Sequence, residues 1–108
     1  MQSEQALVEK LHSETAIISW HDLQPYFAKG SLLVVDNSLD LVSIAVDFAE
    51  DNADKLKNNI ESKLICAASN DQARSWYADN VNFWAVVVAP FVLVQLAEKP
   101  SPANSIDG

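Results

Sequence analysis

Glycine is almost missing from this chain: of 108 residues only Gly30 and Gly108 are glycine. A Walker loop and a dinucleotide-binding fingerprint both need several, because glycine lets the backbone close on a phosphate. Cysteine occurs once, at Cys66, so no disulfide can form within the chain and no thiolate zinc site can begin. There is no paired-histidine zinc helix and no Gly-x-Ser-x-Gly elbow. Arginine also occurs once, at Arg74, and the six lysines are scattered. With 15 acidic residues against 7 basic ones and a formal net charge of −8, the chain lacks the clustered cations that neutralise phosphates. The same acidity opposes adsorption to an anionic bilayer. The expectation is therefore no nucleic-acid partner, no membrane partner, no cofactor and no metal.

What is present suits one globular domain: 49% hydrophobic and 20% charged residues over a common domain length. The expected domain is 1–99. The tail 100–108 carries two prolines and small polar residues without periodicity, the pattern of a loose end. The opening "MQSEQALVEK" has neither a basic leader nor an apolar segment. Together with the single cysteine it points to the cytoplasm, where thiols stay reduced. Cys66 sits in "KLICAAS" among apolar neighbours and reads as a small buried hydrophobe with no base beside it.

Hydrophobic spacing predicts a first helix from a Ser3 cap to about Thr15, with Leu7, Val8 and Leu11 as its stripe. "ISWHDLQPYFAKG" predicts a second, capped by Ser19 or by Asp22 and closed by Gly30. Pro25 is harmless under the Asp22 cap and kinks the helix under the Ser19 cap. Residues 31–36, "SLLVVD", read as a strand and "NSLD" as a turn. "LVSIAVDFAE" fits period two and also a helical stripe of Leu41, Ile44, Ala45 and Phe48. Its β-branched residues after a turn favour a strand, hence a β-hairpin. "EDNADKLKNNIESKL" predicts a helix with Leu56 and Ile60 inward. "SNDQARSWYADN" predicts another with a Ser69–Gln72 capping box and Ala73, Trp76 and Tyr77 inward.

The longest apolar run is Phe83 to Val94, "FWAVVVAPFVLV", with no charged side chain. As a helix it would span about 18 Å, short of the roughly 30 Å hydrocarbon layer, and Pro90 interrupts it. A membrane span is excluded. Its composition is that of a strand, yet about 40 Å of extended chain is too long for one. The expectation is a strand bent at Ala89–Pro90 and covered on both faces, by helices or by a second chain. A homodimer is expected, with Phe83, Trp84, Val86, Val88 and Phe91 as its interface, and an unidentified protein partner is also compatible.

Chemistry has few places to reside. Trp20-His21-Asp22 could pair a base with its orienter, but neighbours on a helix point apart, so a helix start is the plainer reading. His12 meets His21 only if two helices pack closely. Asp36, Asp40, Asp47, Glu50 and Asp51 gather around the predicted hairpin and could converge on Mg²⁺ or Ca²⁺. Turns and helix starts recruit acids locally for their own reasons. Asp47, on the side away from the apolar face, is the least explained.

The stretches "LDLVSIAVDFAED" and "FWAVVVAPFVLVQ", with "ETAIISWHDLQPYFAKGSLLVVD" before them, resemble a small bacterial family known as domain of unknown function 2288. The resemblance runs from about Leu7 to Leu96, and Pro25 departs from the pattern. It implies a stand-alone cytoplasmic bacterial protein and carries no catalytic residues with it. The expected fold is α+β, a three-stranded, largely antiparallel sheet of one hairpin plus the long bent strand, with about four helices. The expected function is a non-enzymatic, self-associating interaction or regulatory module. The alternative is an enzyme or a small ligand- or metal-binding domain with a site near Trp20, His21 and Asp36.

Overall fold

In a computed structural model, residues 4–97 are described. They form α1 (Glu4–Glu14), β1 (Ala16–Ser19), α2 (Trp20–Lys29), β2 (Leu32–Val35), α3 (Leu41–Ala49), α4 (Ala53–Glu61), β3 (Ile65–Ala67), α5 (Asn70–Asp79), β4 (Asn82–Val88) and β5 (Phe91–Leu96). The sheet order is β1-β4-β5-β2-β3. All neighbours run antiparallel except β2 and β5, which are parallel. The class is α+β as expected, with five strands and five helices among the described residues in place of three and about four. The expected Ser3 cap and the tail 100–108 lie outside the described residues.

The apolar run makes the centre of this sheet. It reverses at Ala89–Pro90, a cis peptide, and its two arms pair, from Phe83 against Leu96 to Val88 against Phe91. The single bent strand is thus corrected to a hairpin. Pairing satisfies the backbone groups of both arms locally, and proline, lacking an N–H, falls in the turn. Period two then divides the run between two cores. On one face Val86 and Leu93 pack with Val35 and Ile65 under α1, α3 and α4. On the other Phe83, Ala85, Val92 and Val94 pack with Leu32 under α2 and α5. Helices on both faces supply the expected cover, each large buried side chain contributing about 1.5–3 kcal/mol.

The expected hairpin of residues 31–36 and 41–50 does not exist, because 41–49 is α3. Asp40 caps it, its carboxylate accepting from the Val42 N–H at 3.3 Å and the Ser43 hydroxyl at 3.0 Å. Leu41, Val42, Ile44, Ala45 and Val46 are then buried. The helical stripe, available in the sequence, wins once the cap is made. β2 pairs instead with β5 and β3.

α2 begins after Ser19, so Pro25 lies inside the helix. Gly30 closes it in the left-handed region, φ 78°, its N–H reaching Phe27 O at 3.0 Å. The Ser69–Gln72 capping box of α5 forms as expected, both bonds at 3.0 Å. β1 and β3 had no counterpart in the expected fold. In β3 Ile65 faces the core, so alternation turns Cys66 the other way, where it is exposed rather than buried. Ile60 and Tyr77, expected inward, are half exposed.

Leu93 is completely buried at the crossing of β5 with the α3 layer, whereas Val87 of β4 is 60% exposed. Leu93→Ala should cost about 2–5 kcal/mol by urea denaturation, and Val87→Ala no more than about 0.5 kcal/mol.

Candidate functional site

The residues first suspected of chemistry fall on both sides of the sheet, Trp20 and His21 with α2 and Asp47 with α3. Trp20 is entirely buried in an aromatic cluster, its ring centroid 5.5 Å from Phe27, 5.3 Å from Trp76 and 5.8 Å from Phe83. Its Nε1–H has no partner among the described residues. His21 joins α2 to α5: its backbone N–H donates to Asn80 Oδ1 at 3.2 Å, and its Nε2 lies 3.2 Å from the Tyr77 carbonyl. A carbonyl can only accept, so Nε2 is the donor in this contact. The His21 ring also lies 4.6 Å from that of Tyr77. Asp22 accepts from the Ser19 hydroxyl at 3.4 Å within the same turn.

The acids have local duties. Asp36, after β2, accepts from the Ser38 N–H at 2.9 Å. The Ser38 hydroxyl, and then that N–H, hold its carboxyl below the usual 3.8. Asp40 caps α3. Asp47, now in a helix, accepts from Asn52 Nδ2 at 3.1 Å, while Asp47 O accepts from the Asn52 N–H at 2.8 Å. It therefore secures the α3–α4 corner, where Asp51 takes a left-handed φ of 59°. Trp20 and His21 belong to the α2–α5 layer and Asp47 to the opposite one, so no site near Trp20, His21 and Asp36 is assembled with it. Among the described residues no three His, Cys, Asp or Glu side chains converge as a cation site. His12 lies in the α1 layer beside Trp84, across the sheet from His21.

Two surfaces with large apolar side chains stand out among the described residues. The larger is a groove of about 630 Å³ between α4 and the tip of the β4–β5 hairpin. Phe48, Leu56, Ile60, Val88, Pro90 and Phe91 line it, with Asp51, Lys57 and Glu61 beside them. Leu56 is buried but Ile60, one turn on, is 49% exposed, so the apolar stripe of α4 is only half covered. The Phe48 and Phe91 rings meet at 5.5 Å. Sequence reasoning missed this groove because it takes shape only when the apolar run folds back on itself.

The second surface is the β1 edge of the sheet. Ile17 and Trp84 are paired across β1 and β4, and are 53% and 43% exposed. They lie on the α1–α3 side, where Trp84 with His12, Thr15, Asp40 and Gln95 borders a cleft of about 300 Å³. Gln95 is fixed beneath it, donating to the carbonyls of Asp36 at 3.0 Å and Leu39 at 2.7 Å. Trp20 N–H donates to Val81 O at 2.8 Å in the same register. In an antiparallel ladder hydrogen-bonded pairs alternate, so the groups of Ala16 and Ile18 turn toward β4 and those of Ile17 and Ser19 toward the open edge. Residues 15–20, "TAIISW", carry no charge. Of the expected interface residues, Phe83 and Val86 lie inside this chain's own core. Trp84, on β4 just inside the edge strand, is 43% exposed, and Val88 and Phe91 line the groove.

The chain belongs to the family described as Protein of unknown function (DUF2288), which it matches over residues 6–96. The NMR solution structure of PA1075 from Pseudomonas aeruginosa is similar to it, with a TM-score of 0.76 and 38% identity over 94% of each chain. No curated protein matches the chain. No helix among the described residues is long and apolar enough to cross a membrane.

Asp36 offers a pH test. A carboxylate held below its ordinary pKa stabilises the fold above the unfolded value, and that contribution is lost as pH falls through the native value. Asp36→Asn should therefore lower Tm at neutral pH, and the gap to the wild type should close as pH drops from about 5 to about 2 in a thermal-denaturation series.

Proposed function

We propose that this member of the DUF2288 family is a non-enzymatic interaction module that self-associates through the Ile17–Trp84 surface at the β1 edge. The supporting observation is the exposed cross-strand pair beside an uncharged open strand. Edge strands are normally guarded by shortness, lysine, proline or a covering element; β1 is short, and none of its four residues is lysine or proline. Two chains of net charge −8 repel, and that repulsion weighs least where the contact itself is uncharged. The side chains of His21, Asp22, Asp36, Asp40 and Asp47 are each already engaged in a hydrogen bond, which favours this reading over a hydrolytic or metal-dependent one. The expected cytoplasmic location is compatible with it.

The volume and lining of the α4–hairpin groove favour a second reading, a site for a small apolar ligand. Volumes of about 300–1,000 Å³ are typical of such pockets. Titration with decanoate should move the amide resonances of Lys57, Ile60 and Phe91 and leave those of Ile17 and Tyr77 in place. An unchanged NMR spectrum at millimolar ligand would end that reading.

Self-association is tested by sedimentation velocity at micromolar concentration. The wild type should sediment at twice the 11.9 kDa chain mass, and Ile17→Lys should return it to the single-chain mass with its Tm preserved. A wild type that sediments as one chain overturns the proposal.

A further inference from the structure

We infer that the cleft beside Trp84 binds an alkyl guanidinium, a planar cation whose polar atoms are all hydrogen-bond donors. Every lining residue belongs to one chain, so the site stands whether or not two copies associate. Trp84 is directly opposite Gln95 across β4 and β5, which puts the two side chains together on the α1–α3 face of the sheet. His12 and Thr15 border the space from the end of α1, and Asp40 from the start of α3.

The atoms left with unused hydrogen-bonding capacity are mostly acceptors. Both N–H groups of the Gln95 amide are spent on the carbonyls of Asp36 and Leu39, which leaves only its oxygen. The Thr15 hydroxyl gives its one proton to Leu11 O at 2.8 Å and can now only accept. The Asp40 carboxylate takes one bond on each oxygen, from the Val42 N–H and the Ser43 hydroxyl, and keeps further lone pairs on both. No cation pairs with it: among the described residues the one ion pair joins Arg74 to Asp71. Trp84, 43% exposed, adds an aromatic face that attracts positive charge. The donors are few, the Trp84 Nε1–H and one ring nitrogen of neutral His12. An anion would meet oxygen lone pairs and a carboxylate. A guanidinium has paired N–H groups for Asp40, others for Gln95 and Thr15, and a flat face for the indole. An ammonium matches the charge but has neither the flat face nor the paired donors. A cleft of about 300 Å³ suits a small ligand, and a net charge of −8 draws cations toward the chain.

The test is an NMR titration of the full chain with butylguanidinium at millimolar concentration, far below denaturing levels. The Trp84 indole N–H resonance should shift and saturate, while those of Trp20 and Trp76, in the opposite layer, stay in place. Butylurea, flat but neutral, and butylammonium should each bind at least about fivefold more weakly. Asp40→Asn keeps a capping oxygen for α3 and should weaken binding about tenfold. Asp22→Asn removes a charge from the other layer and should leave the affinity within about twofold. N-acetylarginine amide carries the same group: binding of either guanidinium supports the assignment, and the tighter one identifies the carrier as a free small molecule or a peptide side chain. A Trp84 indole unmoved by both overturns it, as does butylurea or butylammonium binding as tightly as butylguanidinium. An unchanged affinity in Asp40→Asn, or equal weakening by Asp22→Asn, overturns it too, the second by reducing the effect to overall charge. Sedimentation of the same samples reads self-association separately.

Discussion

The fold depends on one pairing, that of β4 with β5. Both strands come from a single apolar stretch, and pairing them gives twelve residues internal backbone partners while sending alternate side chains to opposite faces. Two cores become necessary at once. Val86 and Leu93 need cover on one side, Phe83 and Val94 on the other, and five amphipathic helices supply it. β2 then finds a place beside β5 because its own four residues are apolar on both faces.

Several elements were legible in the sequence for reasons that are local. The Ser69–Gln72 box, Gly30 as a left-handed cap and the stripe of α1 each need only a few neighbouring residues to decide them. The demand for cover on both faces of the apolar run followed from its length without a polar side chain. Other features depended on partners far away. Whether Val42, Ile44 and Val46 point one way as a strand or wrap as a helix was undecided by period, and the Asp40 cap settled it. β1 and β3 are four and three residues long, too short for alternation to register. Cys66 was misjudged because its neighbours in sequence are apolar, whereas its neighbours in space are set by the strand's parity.

The same distinction governs the site. Trp20, His21, Asp36 and Asp47 were chosen for their chemistry, but the fold uses them for construction: a core ring, a tie between helices, a turn and a corner. Large apolar side chains mark the two surfaces that stand out. Ile17 stood unremarked in "ETAIISWHD" because nothing in the sequence shows that the following strand forms the margin of the sheet. Of the run expected at an interface, Trp84 is partly exposed, while Phe83 and Val86 are buried in this chain's own two cores, one on each face of the sheet.

α5 contributes no fully buried residue. Trp76 and Ala73, both partly buried, seat it on the aromatic cluster, and His21 and Asn80 fasten its end to α2. The opposite layer is held by eleven buried residues packed as one group. The two sides of the sheet are therefore unequal in their hold. With few buried side chains to hold it, α5 is the part of this layer whose local opening would bare Trp20 to water, while the layer of α1, α3 and α4 keeps its own core.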